Sequence, residues 1–461
     1  MNAPPPNLDT SHPRSPSPRR LDQARRDLRR IAQDGIFFGC MVGLGETYVS
    51  AFALALGAGP VATGFLATAP LLAGACLQLV SPFGARRLGN LRRWVVLCAA
   101  FQAATFVPLG LGALRGQLPL VVLFVSMALY WAAGMGANPA WNTWVGTLVP
   151  RSVRHHYFAR RTLFHQLAIL LAIVSGGFLL QVGATRGTPL RWFAVLFGVA
   201  ILARAISARL LASYSDPPRG WPALRTVSLR EFLRRLTQRH EGRFLLFLLL
   251  TQSTVMIASP FFTPYMLQSL HFGYGEYMTL LATSFIAKAV MLPRFGRLAK
   301  RWSVTRVLTL GSLGIAPLPA LWLVSDSFYY LLVVQVFSGA VWAAYELAVI
   351  LLQMELIGEE ERTSVLSYFN LANALAQVTG TLLGGTLLSR LGATHQAYAG
   401  LFAVSSVARV AALAALRGLR GVDAPAGEVV LRILAVRPAF GALARPIHAS
   451  FRRGREPREE K

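Results

Sequence analysis

Stretches of about 20 apolar residues, separated by short polar and basic segments, follow one another along most of the chain. A helix of that length crosses the hydrocarbon core of a bilayer. A chain with many such stretches must satisfy its backbone hydrogen bonds within helices, and the alternating pattern of a membrane barrel is missing. The pattern predicts an all-α membrane protein with twelve transmembrane helices. Their predicted ranges are 35–57, 61–81, 94–114, 118–146, 158–182, 192–213, 244–268, 277–294, 305–324, 328–352, 365–388 and 396–417.

Short matches relate the first six spans to the last six. The loop "GARRLGNLRRW" from Gly84 recurs as "GRLAKRWSVTRV" from Gly296. Likewise "WAAGMGA" recurs as "WAAYELA", and "LFGVAILAR" as "LFAVSSVAR". These and other matches keep one order along the chain, at shifts between 205 and 215 residues. They predict two parallel six-helix repeats, 35–213 and 244–417.

Three segments lie outside these repeats. Residues 1–34 are predicted to be a disordered, basic N-terminal arm, and residues 418–461 a basic tail. Residues 214–243 join the repeats. In this linker Ser228 and Glu231 form a capping-box pattern, which marks the start of a helix. Apolar side chains on one face and flanking arginines predict an amphipathic helix on the membrane surface; the apolar residues are Leu229, Phe232, Leu233 and Leu236.

Composition supports a membrane protein and excludes nucleic-acid binding. The 461 residues are 54% hydrophobic and 14% charged, against about 25% charged in soluble proteins. The net charge of +26 is distributed unevenly, because 38 of the 46 basic residues fall on one side of the predicted spans and four on the other. This asymmetry predicts cytoplasmic termini in a bacterial inner membrane. Four arginines at the inner surface are predicted to be anchors or to have a lipid-contacting and gating role: Arg151, Arg154, Arg160 and Arg161.

The repeats, the amphipathic linker and the basic loops after spans 2 and 8 resemble the major facilitator superfamily over residues 35–417, without indicating a subfamily. The family's loop pattern is G-x-x-x-D-R-x-G-R-K/R. The retained positions, with their counterparts in the second loop, are Arg87, Gly89, Arg92, Gly296, Arg301 and Arg306. Arg86 and Lys300 replace the family's aspartate. The resemblance implies gating by these loops, a midplane substrate site between the halves, and alternating access.

Glu46 is the only charged residue between Gly35 and Ala85. A lipid-facing charge at such a position costs at least about 2.5 kcal/mol, so we expect the carboxylate to face protein or water. Burial favours the protonated form of a carboxylate. The resemblance places spans 1, 4, 7 and 10 around the central cavity, which makes Glu46 a candidate for binding substrate or a proton. The alternative is a structural carboxylate bonded to a neighbouring helix.

Span 10 carries a second carboxylate, Glu346, with Trp342 and Tyr345 beside it. Tyr130 and Trp131 lie in span 4, which is its repeat partner. Aromatic walls with a few polar groups are typical of a small-molecule site. The alternatives are helix packing for the aromatic residues and a salt bridge at the inner rim for Glu346.

Span 11 carries a polar stripe of Asn370, Asn373 and Gln377, and the repeat shift aligns His165 of span 5 with Asn373. The stripe predicts either cavity lining or hydrogen bonds between helices. His165 is a candidate titrating group or a packing donor.

Four further residues have predicted roles. Asn138 precedes Pro139, where span 4 is predicted to break and expose carbonyl groups. Lys288 is predicted to extend its ammonium group to the inner surface. Arg204 and Arg409 occupy equivalent positions in spans 6 and 12, so a shared structural task is expected.

The sequence lacks a phosphate-binding P-loop, a zinc-protease motif and a serine-hydrolase elbow. No enzyme activity, cofactor or metal is therefore predicted. We expect a secondary active transporter of a small molecule, coupled to a proton or sodium ion, monomeric, and exporting amphipathic compounds. The alternatives are a facilitative or symport uptake carrier and a non-transporting receptor or scaffold on the same fold.

Overall fold

The computed structural model describes residues 18–149, 154–216, 227–238, 240–357 and 361–419. These residues form twelve spans long and apolar enough to cross a membrane, which confirms the predicted number, and they contain no strand. The helices of spans 1 to 6 are Pro18–Leu44 with Val49–Ala55, Pro60–Arg87, Leu91–Ala104 with Phe106–Arg115, Leu120–Leu148, Arg154–Thr185 and Pro189–Ala212. Those of spans 7 to 12 are His240–Met256 with Phe262–Pro264, Tyr274–Arg301, Val304–Ile315 with Leu318–Leu321, Phe328–Leu356, Arg362–Leu391 and His395–Ala412.

Span 1 begins well before the apolar run that predicts it. Its first helix starts at Pro18, so the prediction of a disordered arm is wrong for residues 18–34. Asp27, Ile31 and Asp34 are buried, and their spacing of three to four residues places them on one helix face. This face packs on spans 5 and 6, which explains why a polar segment is ordered. Residues 1–17 and 420–461 lie outside the described residues.

Spans 1 and 7 are interrupted at equivalent places. Short 3₁₀ turns begin at Glu46 in span 1 and at Ser259 in span 7, which lies 213 residues further on. In span 7, Pro260 starts the new turn and cannot continue the preceding ladder of hydrogen bonds. In span 1 the break follows Gly45, where a side chain would collide with the ring of Phe106. The repeat therefore includes the positions of the interruptions as well as those of the spans.

Arg409 stabilises two helix ends, one at the interruption of span 7 and one where the first helix of span 9 ends. It is 4% exposed, and its guanidinium donates to the carbonyl oxygens of Ile315 at 3.0 Å and Val255 at 3.3 Å. These carbonyls lie at the C-terminal ends of helices in spans 9 and 7, where a positive charge is favourable. The equivalent Arg204 is 5% exposed and donates to Ser207 Oγ at 2.7 Å. Both arginines are thus held inside their own halves.

The two halves pack closely toward one side of the membrane. The backbone N–H of Gly275, at the start of span 8, donates to Gln181 Oε1 near the end of span 5 at 2.9 Å. Gly385 of span 11 faces Val61 and Phe65 of span 2. We call the side that carries the loops after spans 2, 4 and 8 the basic face, and the other side the opposite face. These contacts lie toward the opposite face, so the halves are closed there.

The linker contains the predicted amphipathic helix at Leu229–Gln238. Ser228 Oγ accepts from the backbone N–H of Glu231 at 3.2 Å, which is the predicted cap. Phe232 is 2% exposed and packs on the second half, whereas Leu229 and Leu233 remain 50% and 55% exposed. One part of the apolar face is therefore buried against the protein, and the other part is exposed.

An ion-pair cluster fastens this helix to the start of span 11. Arg235 bonds both Glu361, which directly precedes the helix of span 11, and Glu231 one turn earlier in its own helix. The hydrogen bond to Glu361 is the main cause that raises the pKa of Arg235 above its ordinary value. The helix Leu229–Gln238 is therefore anchored to the second half.

Candidate functional site

Glu46 lies in the interruption of span 1, at the start of its 3₁₀ turn. Its Oε2 accepts a hydrogen bond of 2.6 Å from the hydroxyl of Tyr130 in span 4. Tyr130 lies about 15 Å along its helix from Leu120, which is half the thickness of a bilayer core of about 30 Å. The carboxylate is half-buried. Glu46 is therefore a partly accessible acid at mid-depth with a fixed donor beside it.

Tyr130 is held rigidly around this hydrogen bond. It is 1% exposed, and its ring makes edge contacts with Phe106 at 5.2 Å and with Trp131 at 5.7 Å. Trp131 is itself 7% exposed, and its backbone approaches Gly74 of span 2. Both aromatic residues are packed inside the first half, so helix packing describes them better than cavity walls. The pairing of Tyr130 with Glu46 is a contact that the sequence pattern did not predict.

The second half contains a buried ion pair between spans 8 and 10. Lys288 Nζ lies 2.8 Å from Glu346 Oε1, and the residues are 7% and 8% exposed. The prediction that Lys288 extends to the surface is wrong, because its ammonium group has a carboxylate partner inside the protein. Gly339 lets the backbone of span 10 approach span 8 at Ser284, which brings the two side chains within reach.

The two aromatic neighbours of Glu346 differ in burial. Trp342 and Tyr345 touch edge to face with ring centroids 5.6 Å apart. The backbone of Tyr345 packs against Gly311 of span 9, and Tyr345 is 6% exposed. Trp342 is half-buried and lies one turn before Glu346. Of the two, Trp342 is the better placed to meet a ligand.

The polar stripe of span 11 faces the other half of the protein. Asn370 Nδ2 donates to Gln78 Oε1 of span 2 at 3.4 Å. Asn373 is half-buried, and Gln377 is 1% exposed. Asn370 thus makes the helix-to-helix hydrogen bond that was one of the two predicted alternatives.

His165 and Asn138 make local contacts. The Nδ1 atom of His165 lies 2.8 Å from the carbonyl oxygen of Gly35, and its ring stacks on Phe38 at 5.5 Å. This geometry matches a packing donor between spans 5 and 1. Asn138 Oδ1 accepts from Asn142 Nδ2 at 3.1 Å. The helix of span 4 continues through these residues, so the predicted break there is wrong.

The loops after spans 2 and 8 share a helix cap. Asn90 Oδ1 accepts from the backbone N–H of Arg92 at 2.8 Å, and Ser303 Oγ accepts from that of Arg306 at 3.3 Å. Arg92 also pairs with Asp216, at the start of the linker, at 3.1 Å. The remaining predicted loop positions are the exposed Arg87 and Arg301, the buried Gly296, and Gly89, whose φ of +64° requires the freedom of glycine.

Asp34 is a buried acid that the sequence pattern did not predict. It is 3% exposed; its Oδ2 lies 3.6 Å from Arg161 Nη2, and its Oδ1 accepts from Ser207 Oγ at 2.6 Å. Arg204 donates to the same Ser207, and Arg161 lies over the ring of Trp141 at 4.6 Å. The interpretation of Arg161 as a surface anchor is therefore wrong. The spacing of Asp27, Ile31 and Asp34 was the signal available in the sequence.

Two tyrosines hold the extension of span 1 near this cluster. The hydroxyl of Tyr157 donates to the carbonyl oxygen of Leu28 at 2.6 Å, and that of Tyr214 to the carbonyl of Arg30 at 3.4 Å. Burial raises the pKa of both hydroxyls, and the Asp34 carboxylate raises that of Tyr214 further. Both therefore remain protonated donors at neutral pH.

Asp34→Asn is expected to lower the free energy of unfolding by about 3–5 kcal/mol, because it leaves buried arginines without their compensating charge. Asp22 provides a matched control on the same helix, since its pair with Arg25 is exposed. Asp22→Asn should cost at most about 1 kcal/mol. Thermal unfolding of both variants in one detergent measures the difference. Equal melting temperatures would show that the cluster contributes no stability.

The chain resembles known proteins in part of its sequence and in its fold. The sequence model described as "Major Facilitator Superfamily" matches residues 244–447. No curated protein matches the sequence significantly. The crystal structure of the nucleoside transporter NupG is similar, with a TM-score of 0.66, 12% identity and coverage of 85% of this chain and 99% of that one. A bacterial homolog of the human lysosomal transporter Spinster, inward-facing and unoccupied, gives 0.63 with 14% identity, covering 88% and 97%. At these identities the likeness concerns the fold.

Proposed function

We propose, from the twelve-helix fold and the family match over residues 244–447, that the chain is a major facilitator superfamily transporter and works as an ion-coupled exporter. It moves a small amphipathic molecule out of the cell in exchange for a proton. Glu46 is the proton site, and the basic face is cytoplasmic. The two halves, 35–213 and 244–417, rock around a central site.

The observation that carries this proposal is the Glu46–Tyr130 hydrogen bond of 2.6 Å. A phenol hydroxyl donates to a carboxylate when the acid is charged, and its oxygen accepts when the acid is protonated. Tyr130 can therefore partner Glu46 in both states. A half-buried carboxylate at mid-depth is a suitable binding site for a proton that crosses the membrane.

The charge balance of the second half supports a substrate of low net charge. Lys288 and Glu346 neutralise each other, and Trp342 adds a half-buried aromatic surface one turn away. A site with an aromatic surface and few polar groups favours an amphipathic molecule. The closed opposite face and the basic face then correspond to the outer and inner sides of alternating access.

Reconstitution in proteoliposomes that contain a pH-sensitive dye tests this proposal. The probes are a panel of amphipathic organic cations and a panel of nucleosides, the latter suggested by the name of the NupG transporter. We expect an imposed proton gradient to drive accumulation of a probe and the probe to change the dye signal. Probe movement that is unaffected by proton and sodium gradients would replace this proposal with facilitative transport. Accumulation in the direction of the proton flux would indicate symport uptake instead.

A receptor or scaffold on the same fold makes a different prediction. It would bind a probe, as a shift in melting temperature shows, without moving any probe across the membrane. Binding without movement across both panels would favour that class.

A further inference from the structure

Spans 2 and 11 face each other across the two halves, along a contact that we call the seam. Gln78 meets Asn370 toward the basic face, and Gly385 packs on Val61 and Phe65 toward the opposite face. The two helices are therefore antiparallel. This register brings Thr381 of span 11 level with Thr68 of span 2.

Three buried side chains of the seam leave a polar atom unpaired. Thr68 and Thr381 are 0% exposed and Gln377 is 1% exposed. Among the described residues, no group hydrogen-bonds to Thr68 Oγ1, Thr381 Oγ1 or Gln377 Oε1. Gln377 and Thr381 continue the stripe of Asn370 at helical spacing, and Thr68 lies one turn after Phe65.

Two exposed threonines of span 11, Thr379 and Thr386, do not share this feature. Thr379 Oγ1, two residues before Thr381, donates to the carbonyl oxygen of Leu375 at 2.9 Å and is exposed. Thr386 Oγ1 donates in the same way to Leu382 at 2.7 Å. A threonine hydroxyl in a helix can thus donate to a carbonyl oxygen of its own helix. The hydroxyls of Thr68 and Thr381 do not make such a bond.

Unpaired polar atoms make the closed seam less stable than its contact area alone would make it. A hydroxyl or amide oxygen that is removed from water without a partner loses its hydration energy. When spans 2 and 11 separate at the opposite face, water reaches the three atoms and restores that energy. The free-energy difference therefore favours separation of the halves at this face.

We infer that Thr68, Thr381 and Gln377 are positioning residues that keep the seam poised to open at the opposite face. They act on the balance between closed and open arrangements of the halves, without touching substrate. The inference rests on the alternating access of the proposed function. It does not depend on the transported molecule or on proton coupling.

Distances between spin labels across the seam test the inference. Gly59→Cys and Arg390→Cys place labels beside the outer ends of spans 2 and 11, at positions that are open or exposed. The native Cys40, Cys76 and Cys98 are replaced by alanine in this background. The full-length protein is measured in lipid nanodiscs without substrate or gradient. Short distances then report a closed seam and long distances an open one.

We expect the parent to show both distances. Thr68→Val or Thr381→Val should shift the ratio of closed to open by about fivefold, and the double variant by more. Valine keeps the shape of threonine, so it removes the unpaired atom without leaving a cavity. Thr68→Ser retains the hydroxyl and should behave like the parent. The matched control Thr379→Val should also leave the ratio unchanged.

Two results would overturn the inference. One is a double valine variant with the parental ratio or a larger open fraction. The other is a single short distance in the parent and all variants, since the seam would then not be poised to open. Because neither result involves transport, the proton coupling proposed for Glu46 can fail or hold independently.

Discussion

Glu46→Gln is expected to reduce substrate-dependent proton movement to background while the protein still exchanges substrate between the two sides. Glutamine has the shape of glutamate, and its amide oxygen can accept the hydrogen bond from Tyr130. It cannot bind and release a proton in the physiological range. The pH-dye signal in proteoliposomes should disappear, and tracer exchange without a gradient should continue.

Glu276→Gln is the control for this experiment. Glu276 is an exposed carboxylate at the start of span 8, where it accepts from the backbone N–H of Gly273 at 2.9 Å. Its substitution should leave proton movement unchanged. Proton movement that survives Glu46→Gln would rule out Glu46 as the proton site. Loss of both exchange and thermal stability in that variant would assign the carboxylate a structural role.

Neutralising one partner of the Lys288–Glu346 pair is expected to lower the free energy of unfolding by about 3–5 kcal/mol. The remaining charge would be buried without compensation, since the two residues are only 7% and 8% exposed. Replacing both, as Lys288→Met with Glu346→Leu, should recover most of the stability, because apolar residues of similar size can fill the site. The double variant should nevertheless transport poorly if the pair contributes to the substrate site. Melting temperatures and tracer uptake are measured for the parent, the two single variants and the double variant, which together form a double-mutant cycle.

The Arg92–Asp216 pair is the matched control for buried charge. Its side chains are 31% and 61% exposed, so Asp216→Asn should cost at most about 1 kcal/mol. Parental transport in the Lys288/Glu346 double variant would show that the pair serves structure alone. Single variants as stable as the parent would contradict the burial of the pair.

Local pattern was enough to predict the spans but not their interruptions. A bilayer imposes one length on every crossing helix, so runs of apolar residues give the number of spans directly. Gly45 and Pro260 are the local signals of the interruptions. Inside long apolar runs they are ambiguous, because glycine and proline also occur in continuous membrane helices. The helix through Pro139 illustrates this, since it continues where a break was predicted.

A residue of the candidate site could be predicted only where its type was unusual for its local sequence. Glu46 stood out as a single charge in an apolar run. Lys288 was misassigned because its partner Glu346 lies 58 residues away and a lysine near a helix end can also reach the surface. Asp34 was missed because a helix that alternates acids and bases resembles a solvated arm until its packing face is known.

The order of residues along the chain was sufficient to predict twelve apolar spans, two repeated halves and one basic face. These properties depend on helix length, order and charge, which are written locally. The tertiary structure decided which charges are paired, which hydroxyl meets Glu46, and which polar atoms of the seam are left unpaired. Those properties depend on distances of a few ångströms between helices far apart in sequence. Only the packing of helices within and between the two halves sets such distances.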